Sequence, residues 1–160
     1  RRPTRFGRAS PVIDKTEIES LIPHSGTMCL LDTVAAWDEQ GIRCLTETHR
    51  DPANPLRWQG RLSAVHAVEY GGQAAAVHGA LRARQAGQTA PPGYLAALRD
   101  LRWFADELDG VAGPLEVAAR LLMGEGGQCI YAIQTSAAGR VLAEARLTIA
   151  PRPVAGESER

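Results

Sequence analysis

The stretch Ser63-Ala64-Val65-His66-Ala67-Val68-Glu69-Tyr70-Gly71-Gly72-Gln73-Ala74-Ala75-Ala76-Val77-His78-Gly79-Ala80-Leu81-Arg82-Ala83-Arg84-Gln85-Ala86 contains no proline and is dominated by alanine. Alanine has the highest helix propensity, so the run predicts one long helix over residues 63–86. Gly87 and the pair Pro91-Pro92 close it.

On either side of this helix the chain reads mainly as strand. Upstream, Asp14 can cap a short helix over residues 15–21, with Glu17 placed as in a capping box. An apolar strand is predicted over 28–37, a turn at Asp38-Glu39-Gln40-Gly41, a second strand over 42–49 and a loop over 50–60. Downstream, strands are predicted over 94–104, 115–124, 128–136 and 141–150. Two of them alternate clearly: Leu115, Val117, Ala119, Leu121 and Met123 share one face, as do Val141, Ala143, Ala145, Leu147 and Ile149. Gly126-Gly127 and Ala138-Gly139 join the last three strands as antiparallel neighbours. The order points to an α+β domain, a curved antiparallel sheet wrapped around one long helix whose small residues let the sheet approach closely.

Composition narrows the function. The 160 residues are enough for one domain over 14–150, flanked by a basic N-terminal tail (1–13) and a polar C-terminal tail (151–160), both read as disordered. Eighteen basic residues balance eighteen acidic ones, so the whole chain carries no signature of nucleic-acid binding. No apolar run reaches the roughly 20 residues a membrane span needs, and no apolar stretch follows Arg1, Arg2, Arg5 and Arg8 to make a secretory signal. The three cysteines, Cys29, Cys44 and Cys129, are widely spaced within apolar, strand-like segments. They read as buried free thiols in a cytoplasmic protein, with no disulfide frame, metal site or cofactor.

At 100° per residue, Val65, Glu69, Gly72, Ala76 and Ala80 share one side of the long helix. Glu69 is thus a carboxylate among small and apolar neighbours, on the side expected to pack. Such a group must find hydrogen bonds or take up a proton. His66 is three residues earlier and Gln73 four later, both within reach on the helix surface. A carboxylic acid and an imidazole are suitable parts for acid–base chemistry near neutral pH, although a helical glutamate or histidine is more often a solvated surface residue.

Two segments carry a resemblance. Leu21-Ile22-Pro23-His24-Ser25-Gly26-Thr27-Met28-Cys29-Leu30-Leu31-Asp32 resembles the Leu-Pro-His-Arg…Leu-Leu-x-Asp opening of the 3-hydroxyacyl-acyl-carrier-protein dehydratases. Val68-Glu69-Tyr70-Gly71-Gly72-Gln73 resembles that family's helix motif Glu-Ala-Met-Ala-Gln, with Glu and Gln at the same spacing. The run from Asn54 to Gly79 is closer still to a divergent branch, the hotdog dehydratases of aryl-polyene and related lipid gene clusters.

The resemblance implies a hotdog fold and a dimer, of identical chains or with a hotdog paralogue. It also implies a tunnel at the subunit interface for an acyl group on the phosphopantetheine arm of an acyl carrier protein. By the same resemblance Glu69 is the acid/base residue and Gln73 its orienter, while His24, Tyr70 and Gly72 line the substrate. Helix N-terminal N–H groups polarise the thioester carbonyl. The family's basic histidine, from a Gly-His-Phe-Pro-Gly motif, falls by spacing near Asn54-Pro55-Leu56, where there is none. Asn54 is then its polar substitute, and His66 or His49 a candidate base. The alternatives are an acyl thioesterase with Glu69 as lone base, or a non-catalytic subunit supporting a paralogous dehydratase. Carrier proteins are acidic, so Arg57, Arg61, Arg82, Arg84, Arg99 and Arg102 are candidate docking charges if they share a face.

Overall fold

The computed structural model describes residues 12–91 and 93–152. The tail readings over 1–11 and 153–160 lie outside the described residues. Chain order is α1 (Lys15–Leu21), β1 (Thr33–Asp38), β2 (Gly41–Thr46), α2 (Ala67–Gln85), β3 (Gly93–Trp103), β4 (Leu115–Glu125), β5 (Gln128–Ala137) and β6 (Arg140–Pro151). Short 3₁₀ turns lie at Gly26–Met28, Thr48–Arg50 and Ala64–His66. The strands form one six-stranded antiparallel sheet in the order β1-β2-β4-β5-β6-β3, with α2 packed on one face. None of the helices is long and apolar enough to cross a membrane, among the described residues.

Local chemistry sets the ends of both helices. The Asp14 carboxylate accepts from Glu17 N–H at 3.0 Å and starts α1. Ser63 caps the 3₁₀ turn that leads into α2. At the far end Gln88 N–H reaches Ala83 C=O at 2.8 Å and Gly87 N–H reaches Arg84 C=O at 3.0 Å. Gly87 sits at φ +70°, so this is a Schellman stop in which glycine takes the left-handed position.

The packing face of α2 differs from the expectation. Ala67, Tyr70, Gly71, Ala74, Ala75, Val77, His78 and Leu81 are buried, whereas the side with Val65, Glu69, Gly72, Ala76 and Ala80 is exposed or half-buried. Alanine and glycine surround the whole circumference, so their periodicity does not distinguish one side from another. The large residues Tyr70, Val77 and Leu81 do. Gly71 is where helix and sheet come closest: a Cβ there would meet the Ile133 Cβ at 2.8 Å and its Cδ1 closer still. His78 is fully buried and structural, its ring bonded to Tyr131 Oη at 2.8 Å and to Asp38 C=O at 2.7 Å.

Three strand expectations change, the first being that the second strand ends at Thr46, so that His49 lies in the 3₁₀ turn Thr48–Arg50. The predicted strand over 28–37 begins only at Thr33. The backbone of 28–31 is bonded instead by side chains: Gln73 takes Met28 C=O and Leu30 N–H, Thr46 and Thr48 take Leu30 C=O, and Lys15 takes Cys29 and Leu31 C=O. Cys29 therefore lies outside any strand, while Cys44 is in β2 and Cys129 in β5. All three thiols are free, the first two buried and Cys129 half-buried. In β4 the alternation holds through Leu121, and a bulge there turns Met123 outward to 51% exposure.

Candidate functional site

Glu69 occupies the first turn of α2 on its open side, with its side chain 48% exposed. The His66 Nδ1 lies 3.4 Å from the Glu69 Oε2, within ion-pair range when the ring is protonated but not aligned as a hydrogen bond. Val65 beside them is 42% exposed. The segment 106–109 straps this helix start in place. Ala64 N–H donates to Asp106 C=O at 2.9 Å, Leu108 N–H to Leu62 C=O at 2.8 Å, and Leu62 N–H to Asp109 Oδ1 at 3.0 Å. That last bond, with Arg61 alongside, holds the Asp109 carboxyl below its usual range. Arg61 pairs with Glu107 as well as Asp109. The helix N-terminal amides expected to polarise a carbonyl are largely engaged within the chain: Ala64 N–H by Asp106, Val65 N–H by the Ser63 hydroxyl, and His66 N–H by Ser63 C=O.

A second polar group lies on the buried side of the helix. Asn54 donates through Nδ2 to Thr48 C=O at 2.9 Å and to Tyr70 Oη at 3.0 Å, while its Oδ1 accepts from Leu56 N–H at 2.9 Å. The Thr46 and Thr48 hydroxyls both reach Leu30 C=O, at 2.5 and 2.6 Å. A 2.8 Å contact between Tyr70 Oη and Thr48 Oγ1 joins the tyrosine to the same group, either hydroxyl being able to donate. The Thr46 and Thr48 hydroxyls also lie 2.9 Å apart, so four contacts share three hydroxyl protons, while Asn54 has both amide protons in use. Burial pushes the Tyr70 hydroxyl above its usual range. Asn54 and Thr48 wall a cavity of about 320 Å³, with Cys29, Thr27, Lys15 and Asp51 among its other lining residues.

Gln73 does not orient Glu69. It is buried, with its amide bonded at 2.8 Å to Leu30 N–H and at 2.7 Å to Met28 C=O, pinning the opening segment to α2. That segment carries two unpaired backbone groups, a better partner for a neutral amide than a half-exposed carboxylate on another side of the helix. His24 is half-buried, with an Nδ1 shielded from water and without a partner among the described residues. Gly72 lies on the Glu69 side, close enough to the sheet that a Cβ would touch Leu147 at 4.0 Å. His49 is fully buried and bonded through Nε2 to Val111 C=O at 2.9 Å, and burial lowers its pKa.

The structure thus brings His66 to Glu69 and Asn54 to Tyr70, but the two pairs sit on different sides of α2. Sequence reasoning missed Lys15 and Thr48, which line the cavity, and Thr46, whose hydroxyl bonds Leu30 C=O beside Thr48. The Thr-x-Thr spacing at the end of β2 was the available signal.

Residues 16–157 match the profile of the ApeP-like family, described as ApeP dehydratase. Among solved structures, a chain of the dehydratase heterocomplex ApeI:P from Xenorhabdus doucetiae superposes with a TM-score of 0.76 at 22% identity, covering 85% of this chain and 91% of that one. A thioesterase variant from Pseudomonas aeruginosa gives 0.58 at 14% identity, covering 91% and 99%. A putative thioesterase from Shewanella oneidensis gives 0.57 at 15% identity, covering 84% and 91%. None of the curated proteins matches the sequence. The sheet wrapped around α2 is a hotdog fold, and with nearly the whole chain matched by one profile, this protein belongs to the ApeP-like dehydratase family.

Proposed function

We propose that the chain, paired with a second hotdog chain, dehydrates a 3-hydroxyacyl thioester presented on an acyl carrier protein. The observation that carries this reading is the Glu69 carboxylate beside the His66 imidazole at 3.4 Å, on the open side of a helix start held by the 106–109 strap. Dehydration needs a base for the α-proton and an acid for the departing 3-hydroxyl. His66 takes the α-proton and Glu69 protonates the hydroxyl, which leaves as water while the C=C bond forms.

The exposed edge supports the pairing. Among the described residues β3 pairs with β6 alone, and exposed Leu95, Leu98 and Trp103 lie along it, with Phe104 just beyond. Leu101 of the same strand approaches Ala67 and Val68, next to Glu69. An unpaired strand with large apolar side chains is a liability unless another chain covers it. A hotdog paralogue or a second copy would close the site over Glu69, as the heterocomplex relative suggests. Asn54, Tyr70, Gln73, His24 and Gly72 are the proposed walls of the acyl path.

A supporting role beside a catalytic paralogue is favoured by one observation, that the Asn54 amide is neutral and fully bonded where the resembled family has its base. Mass spectrometry of 3-hydroxyacyl-, enoyl- and acyl-carrier-protein substrates incubated with the chain, alone and with a co-encoded hotdog partner, separates the readings. Enoyl product alone or with the partner supports dehydration, and free acid indicates a thioesterase. Turnover that survives Glu69→Gln in the pair assigns the chemistry to the partner.

A further inference from the structure

Side chains alternate across the sheet, and residues directly opposite on antiparallel neighbours share a face. Tyr131 and Ile133 point to α2, since Tyr131 bonds His78 and Ile133 meets Gly71. Ala132 between them therefore points to the other, outer face. The register then places a transverse row there: Arg99 opposite Arg146, Arg146 opposite Ala132, and Ala132 opposite Arg120. The adjoining row holds Arg102 opposite Glu144, Glu144 opposite Gln134, Gln134 opposite Ala118, and Ala118 opposite Arg43.

Arg99, Arg102, Arg120 and Arg146 are exposed. Asp100 approaches Arg146 only to 3.9 Å, and Glu116 lies 3.4 Å from Arg43. Among the described residues no carboxylate makes an ion pair with Arg99 or Arg120, while Arg102 has Glu144 directly opposite it on β6. Two arginines directly opposite each other, Arg99 and Arg146, repel in the free chain. A chain with no net charge has thus gathered cations on one sheet face, with small Ala132 between Arg146 and Arg120. Of the arginines weighed as docking charges, Arg57 and Arg61 are tied into their own loop, Arg82 lies in the last turn of α2, and Arg84 pairs with Glu17 on the α2 side. Arg99 and Arg102 alone join this face.

We infer that the outer face of the sheet, along Arg99, Arg146, Arg120 and Arg102, docks the acidic surface of the acyl carrier protein. The inference rests on the reading of a carrier-bound thioester. Arg99 and Arg102 belong to β3, whose Leu101 approaches the start of α2, so a carrier seated here stands beside the seam where the second chain meets β3, and its flexible arm enters along that seam toward Glu69. Charge complementarity chooses the occupant, because opposed potentials speed association and reject partners of the wrong sign.

The test measures binding of a purified holo acyl carrier protein to the full chain by fluorescence anisotropy across a salt series. Arg120→Glu combined with Arg146→Glu should weaken binding by at least about tenfold and remove most of its salt dependence. Arg120→Gln with Arg146→Gln should give an intermediate loss, and circular dichroism checks that each variant folds. Arg50→Glu with Arg84→Glu, the same change in net charge outside the two rows, should bind as the parent does. Equal weakening by both charge-reversed pairs would overturn the inference, as would no carrier binding by the parent or preferential binding of an oligonucleotide. Turnover of the pantetheine thioester of the same acyl group, which needs no docking, separates the two failures. If it persists without carrier binding, only the docking face is lost; if it is absent too, the dehydratase reading fails first.

Discussion

At the scale of single residues, Glu69 and Asn54 occupy opposite situations. Glu69 is half-exposed and makes no bond that the fold needs, so Glu69→Gln should leave thermal stability unchanged. Turnover by the chain or its pair should fall by about 10²–10⁴-fold, the usual worth of general acid–base help, measured by enoyl product formation. Unchanged turnover would remove the acid/base role. Asn54 is buried and holds three parts of the chain together through Thr48, Tyr70 and Leu56. Asn54→Asp keeps the shape but supplies no N–H to Thr48 C=O or Tyr70 Oη, leaving acceptors facing a carboxylate. A loss of about 1–3 kcal/mol in urea unfolding is expected. If the aspartate variant is as stable as the parent, the two bonds given to the Asn54 amide protons do not hold the fold.

At the scale of elements, the contact between α2 and the sheet depends on Gly71. Alanine would gain roughly 1 kcal/mol of helix propensity over glycine. Against this, its Cβ would come 2.8 Å from the Ile133 Cβ, an atom held rigidly by its strand, so helix and sheet must separate. Overpacking of this kind costs about 1–3 kcal/mol, which outweighs the propensity gain. Gly71→Ala should therefore lower Tm, and Ile133→Ala in the same chain should restore much of the loss in a double-mutant cycle. Additive losses would show that the two residues do not oppose each other.

At the scale of the whole molecule, two buried histidines bind the fold to pH. Burial lowers the pKa of both His49 and His78, so each is held neutral. Below the ordinary histidine value of about 6.5 the unfolded chain takes up protons that the folded chain refuses. The stability they contribute is complete above that value and is lost as pH falls toward their depressed folded values. Tm should decline between about pH 7 and pH 5, and less steeply in His78→Gln, which starts lower. A flat profile in the parent would contradict the burial of these rings. The edge strand makes a separate prediction: Leu98→Glu and Trp103→Glu on β3 should convert a dimer to monomer by light scattering without loss of helix signal. A parent that is itself monomeric, alone and with its partner, would end the pairing proposal.

The sequence by itself determined the element order, the one long helix, the three closing antiparallel strands and the family. These follow from local rules: proline-free alanine makes helix, alternation makes strand, and paired glycines make turns. It also singled out Glu69, because a carboxylate among small residues at a motif's spacing is visible without a structure. Only the tertiary structure decided which side of α2 packs, since alanine and glycine line every side and three large residues break the tie. It alone turned Gln73 away from Glu69, because the backbone groups of Met28 and Leu30 that bind the amide lie more than forty residues away in the chain. It alone gathered Arg99, Arg120 and Arg146, from three separate strands, into one row. Such groupings are set by strand register, and register is fixed by packing across the sheet rather than by any local pattern.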